Sequence, residues 1–289
     1  MTLKLLVFIH LLLLIFMAVG CNAQHSPEDF DQVNLINSAG PYLGLVVPNS
    51  FELAPLLDPS TFIPSKNVSH IDLSGRRFHV GIIADQKVIV VMTGLAMTYG
   101  QGEDDELAWE SNGDYTRDIG YIHFANYSTE ESCDNLLNNV WFNPDEIFPK
   151  NGIPEVREHA FWVNVSETYY NLAEQLQNVT LESCINSTTC LPTTPKIVKV
   201  ERGCSASILA ANAAYKNLLH EKFNCTLIDM ESAAVALVSL SMGKPFIIIR
   251  ALSGLAFSNL ASKNAVIALT KFFELLSDKP TNGIEMYDK

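Results

Sequence analysis

Glu231 is the first residue whose type and place could do chemistry. It follows the apolar run "TLIDM" and opens "SAAVALVSL", a stretch without charge. A carboxylate there can complement the positive end of a helix dipole. That is the plainer reading; the other is a carboxylate held at a strand end to bind the hydroxyls of a sugar. Arg250 and Ser253 form a second group, because "PFIIIRALSG" runs four apolar residues straight into a cation and then a hydroxyl. Glu52, in "PNSFELAPLL", is a further carboxylate at a predicted helix start. By position alone, that is an exposed helix-start carboxylate. Metal chemistry is not expected, since no C-x-x-C or H-x-x-x-H spacing occurs and Cys133, Cys204 and Cys225 suggest no ligand set.

These groups need elements to hold them. "YLGLVV" reads as a buried strand, followed by a turn and the short helix carrying Glu52. "RRFHVGIIA" and "KVIVVMTG" read as a hairpin joined at Asp85-Gln86, a poor two-residue turn. Residues 98–154 are rich in Asn, Asp, Glu and Gly, with "IGYIHFANY" as one candidate strand. Beyond them the spacing predicts a helix capped by Ser166, a strand at "PKIVKVE" and an amphipathic helix through "SILAANAAYKNLLHEKF". Then come the strand "TLIDM", an apolar helix ending at Gly243, the strand "PFIII" and a last helix through "NAVIALTKFFELL". Strands alternating with helices, with apolar runs buried on both faces, predict an α/β sheet between helices. Ligands of such sheets bind beyond the carboxyl ends of strands, where Met230, Glu231, Arg250 and Ser253 fall.

The chain has 289 residues, 48% of them hydrophobic, and a formal charge of -13. That suffices for a full core. The acidic balance, without clustered Lys and Arg, argues against nucleic acid as a partner. Lys4 followed by "LLVFIHLLLLIFMAVG" and "CNAQ" reads as a secretory signal, with Cys21 and Ala23 before a cleavage that leaves Gln24 first. That divides the chain into a signal peptide, 1–23, and one domain, 24–289. No other segment is long and apolar enough to cross a bilayer, so no membrane partner is expected after signal removal. Sequons at Asn67, Asn126, Asn164, Asn178, Asn186 and Asn224 fit that route and call for surface positions. Cys184 and Cys190, in the polar "CINSTTC", are the expected disulfide, and at least one of the other thiols is expected to be buried and unpaired.

"IDMESAAVALVSLSMGKPFIIIRALS" resembles the signature of the nucleoside phosphorylase and nucleosidase superfamily, in which a Met-Glu pair opens a helix and the next strand leads into Arg-x-x-Ser-Asp. "VVMTGLAM", "NGDYTRDIGY" and "LPTTPKIV" resemble its plant bark storage or vegetative storage branch. The resemblance runs from about Leu35 onward. It implies a three-layer fold with a mixed central sheet and helices on both faces. It also implies cleavage of the N-glycosidic bond of a nucleoside by water or phosphate, with no cofactor beyond phosphate as co-substrate, and an oligomer of identical chains. Met230 would pack on the ribose and Glu231 would bind its hydroxyls. Glu52 would activate water, Gly94 would lie near the water or phosphate side, and Ala206 and Ser207 of "GCSAS" would meet the base.

Two departures from the pattern bear on activity. The family's proton donor is the Asp after Arg-x-x-Ser, and this chain has Gly254 there. The segment around 98–112 is several dozen residues shorter than in the family and is expected to lack a strand and a helix. "FSNLASKN" also reads as a shortened Gly-rich loop. The first expectation is therefore a secreted or vacuolar storage-type glycoprotein with impaired cleavage. The alternatives are an active nucleosidase or phosphorylase on a purine nucleoside of the adenosine or methylthioadenosine class, and a nucleoside-binding protein without turnover.

Overall fold

The computed structural model describes residues 27–94, 144–207, 213–252 and 257–278. The signal segment, the shortened segment at 98–112, the predicted strand "IGYIHFANY", Asn126, Cys133, Ser253 and Gly254 lie outside the described residues.

A five-stranded mixed sheet forms from β1 (Leu43–Val47), β2 (Ile63–Pro64), β3 (His70–Leu73), β4 (Arg76–Ile83) and β5 (Gln86–Met92). β5 lies between β1, parallel to it, and β4, antiparallel to it; β2 and β3 both pair with β4. Alternation along the strands sends side chains to two faces. Leu43, Leu45, Val47, Ile83, Val88 and Val90 face one apolar cluster, whereas Phe78, Val80 and Ile89 face another. The first is covered by α2 (Ser50–Leu56), α3 (Glu167–Leu172) with its 3₁₀ continuation Ala173–Asn178, and α6 (Ser258–Ser277), through Leu56, Leu172, Leu176 and Phe272. The second is covered by α1 (Pro27–Ala39) through Val33 and Ile36. Helices thus flank both faces of the sheet, as expected.

The hairpin forms, but its turn is Ala84-Asp85, one residue earlier than predicted. Ile83 pairs with Gln86, and the two turn residues adopt φ 47° and 63°, as the strand twist demands of a two-residue loop. Gly81 is needed for packing, because a Cβ there would stand 2.4 Å from the Phe62 ring. Ser166 caps α3, accepting from the Tyr169 N–H. α6 begins at Ser258, so "FSNLASKN" is largely helix rather than a reduced loop.

Beyond a short β6 (Asp145–Ile147) and β7 (Glu158–Ala160) pair, the chain forms β8 (Gly203–Ser205), α4 (Ala213–Phe223), β9 (Leu227–Asp229) and α5 (Ser232–Ser241). β8 and β9 pair in parallel. α5 ends in a Schellman turn: Gly243 at φ 60° donates to Leu240, and Lys244 donates to Ser239. The runs 195–201 and 245–249, predicted as strands, belong to no ladder among the described residues. Their composition is that of buried strands, but a strand also needs a partner at hydrogen-bonding distance. Here the two runs line a shared hollow of about 1480 Å³.

Cys184 and Cys190 form the expected disulfide. Cys204 and Cys225 form a second, which tells against unpaired thiols at either position and ties β8 to the approach of β9. Asn67, Asn164, Asn178, Asn186 and Asn224 are all exposed.

Candidate functional site

Four charged side chains meet where two parts of the fold adjoin. Glu52 arrives on α2 beyond the end of β1, Asp229 ends β9, Glu231 precedes α5, and Arg250 ends the run after α5. The Arg250 guanidinium reaches Glu52 Oε2 at 3.6 Å and Asp229 Oδ2 at 3.2 Å, and Nη2 donates to Glu231 Oε2.

Each carboxylate is held by its local backbone. Asn49 caps α2: its Oδ1 accepts from the Glu52 N–H at 3.0 Å and its Nδ2 donates to Glu52 Oε1 at 3.3 Å. This reciprocal capping explains why a carboxylate suits that place. It leaves Oε2 as the oxygen nearer Arg250. Asp229 Oδ1 accepts from the N–H groups of Glu231 and Ser232 at 3.2 and 3.1 Å, and from the Ser205 hydroxyl at 2.5 Å. The Ser232 hydroxyl donates to Asp229 Oδ2, and Ser205 Oγ accepts from the Ala233 N–H at 2.9 Å. The start of α5, the end of β8 and Arg250 are thereby locked together. Glu231 itself is buried, at 8% exposure, and bound to Arg250 rather than spent on capping α5 by its side chain.

The electrostatics separate two of the carboxylates. Burial pushes the Glu52 carboxyl above its ordinary value; Arg250 opposes this, while Glu231 and Asp229 add to it. Burial also acts to raise Asp229, but the Ser205 and Ser232 hydrogen bonds and the Arg250 charge outweigh it and hold Asp229 below its ordinary value. Arg250 loses hydration on burial, yet the three carboxylates keep its pKa raised. Three carboxylates around one guanidinium leave an excess of negative charge. Such a field stabilises positive charge developing nearby, and a carboxyl displaced toward neutral pH suits proton transfer.

The other sequence-predicted residues sit around this cluster. Met230 is half-buried between Asp229 and Glu231. The Ala206 N–H donates to the Asp229 carbonyl at 2.9 Å, placing it beside the cluster, whereas Ser207 is exposed. Gly94, at φ 91°, follows β5; the neighbouring Thr93 N–H bonds the Val47 carbonyl at 2.9 Å, so Gly94 lies near the end of β1. Sequence reasoning missed Asp229 and Ser205. The available signal was an ionisable residue completing an apolar strand, since a buried carboxylate requires partners.

A protein-family model described as the phosphorylase superfamily matches residues 134–281. The chain belongs to the phosphorylase superfamily. This member is 28% identical over 276 residues to bark storage protein B of Populus deltoides, covering 80% of this chain and 87% of that one. Bark storage protein A of the same organism matches to the same extent. Among solved structures, a futalosine hydrolase mutant of Helicobacter pylori strain 26695 is similar at TM-score 0.46 and 17% identity, over 81% of this chain and 99% of its own. The 5'-methylthioadenosine/S-adenosyl homocysteine nucleosidase of Helicobacter pylori is similar at TM-score 0.45 and 16% identity, over 82% of this chain and 97% of its own.

Proposed function

We propose that this phosphorylase-superfamily member is a storage-type glycoprotein of the secretory pathway, extracellular or vacuolar, in which cleavage of the nucleoside N-glycosidic bond is impaired. The observation that carries the reading is an imbalance between the two halves of the reaction. Glu52, Glu231 and Asp229 converge on Arg250, which supports a ribose side able to favour positive charge on the sugar. The leaving base needs a proton, and the residue at the place of the family's acid is Gly254, which has no side chain to carry one. Loss of a positioned acid lowers a rate by roughly 10²–10⁴. Similarity to the bark storage proteins supports a storage role, and the five exposed sequons support glycosylation.

A second reading, an active purine nucleosidase, is favoured by Glu52. Its carboxyl is displaced toward neutral pH, as a base that takes a proton from water would be. Nucleobase release by the purified glycoprotein, with and without phosphate, separates the two. The impaired reading expects negligible release by the unmodified chain and a rise of roughly 10²–10⁴ in Gly254→Asp. Fast release by the unmodified chain would overturn it. Binding of the nucleoside without release would identify a retained ribose side alone.

A further inference from the structure

A group of aromatic side chains lining the same hollow as Asp229 and Arg250 has a construction that the proposed cleavage chemistry does not use. Phe161, Trp162 and Phe223 form a three-ring group, with centroids 5.4, 5.7 and 6.4 Å apart. The Arg202 guanidinium stands 4.9 Å from the Trp162 ring centre, and its Nη1 donates to the Phe223 carbonyl at 3.3 Å. The indole is therefore held by a cation on one side and by two rings beside it. Phe161 and Trp162 nevertheless each remain 41% exposed. A fixed aromatic surface left in water is a place where a partner with an apolar face gains by covering it.

The neighbouring sequence supplies that partner. Burial alternates along the chain: Trp162 exposed, Val163 half-buried, Asn164 exposed, Val165 half-buried. The chain bends at Phe161 and Trp162 and belongs to no helix or strand up to Ser166, and Asn164, two residues beyond Trp162, lies within about 7 Å of it along the backbone. Asn164 begins the sequon completed by Ser166. A sugar attached to its amide would start within reach of the indole. A pyranose carries C–H groups on one face, which suit an aromatic surface, and hydroxyls at its rim, which stay in water.

We propose that Asn164 carries an N-linked glycan whose innermost N-acetylhexosamine lies on the exposed surface of Trp162. The inference rests on the secretory reading above and deepens it, by giving one sequon a structural task. The competing occupant is a glycan on Asn224, which is exposed and follows Phe223 directly.

The test uses the full chain secreted from a plant or insect host. Mass spectrometry of its glycopeptides reads occupancy at each sequon. Acrylamide quenching of tryptophan fluorescence is then compared between the unmodified protein and Asn164→Gln, each also with Trp162→Phe. Occupied Asn164 and easier quenching in Asn164→Gln, abolished in the Trp162→Phe background, are expected, with a Tm loss of about 2 °C. Enzymatic trimming of the folded glycoprotein to a single sugar should preserve the protection, which tests the contact without a variant that must fold anew. Equal quenching with and without the Asn164 glycan would overturn the inference. So would protection lost only in Asn224→Gln. An empty Asn164 with other sequons occupied would sink this inference alone, whereas six empty sequons would sink the secretory reading with it.

Discussion

Strands β1 to β5 form one mixed sheet, with β5 paired on both sides and apolar side chains covered on both faces. The region from 195 to 250 is held differently. Only β8 and β9 pair there among the described residues, two apolar runs line a hollow, and the fastenings are a disulfide, a Schellman turn and an ion cluster. Glu52 comes from the first region and Asp229, Glu231 and Arg250 from the second. The difference teaches where stability and chemistry are divided. The sheet supplies a wall packed on both faces, while the cluster depends on point contacts that can be removed one at a time.

The sharpest stability contrast comes from the two regions' apolar residues. Phe272 is 2% exposed against the five-stranded sheet, and Phe272→Ala should cost about 4 kcal/mol in urea unfolding. Val198 on the hollow is 57% exposed, and Val198→Ala should stay within about 0.5 kcal/mol. Equal losses would erase the distinction. The second region should instead answer to its staple. Breaking the Cys204–Cys225 link by Cys225→Ala should cost about 3 kcal/mol, read by the same unfolding curve, from the entropy of the loop it closes.

The two oppositely displaced carboxyls extend the comparison to pH. Glu52 has a folded pKa above its ordinary 4.5, so the folded state takes up protons more readily than the unfolded one. The stability this contributes is present at low pH and lost as pH rises through the folded value. Glu52→Gln should therefore stabilise the protein at neutral pH, with the gain vanishing below about 4.5. Asp229 has a folded pKa below its ordinary 3.8, so its contribution is present above that value and lost as pH falls through the folded one. Asp229→Asn should destabilise at neutral pH, and the two proteins should converge in acid. Tm profiles in which both variants move alike would contradict the separate environments. The smallest effect belongs to the α5 terminus. Gly243 sits at φ 60°, so Gly243→Ala should cost about 1 kcal/mol in urea unfolding.

Much of this was legible in the chain. The hairpin, the cap at Ser166, the stop at Gly243 and the apolar faces follow from local rules, because turns, caps and periodicity are set by near neighbours. The strand readings of 195–201 and 245–249 failed for the complementary reason: an apolar run states that it wants burial, and pairing depends on what lies beside it. The same limit applied at the site. Glu231 and Glu52 stood out by their positions at helix starts, but Asp229 did not, because its role is defined by Ser205, Ser232 and Arg250.

By itself, then, the sequence determined the alternation of elements, the residues able to bear charge at strand ends, the sequons and the glycine at 254. Tertiary structure alone decided that Arg250 is shared by three carboxylates and that Cys204 finds Cys225. It also decided that the carboxyls of Glu52 and Asp229 are driven in opposite directions. The physical reason is that burial and through-space charge depend on distances between residues far apart in the chain, which no local pattern encodes.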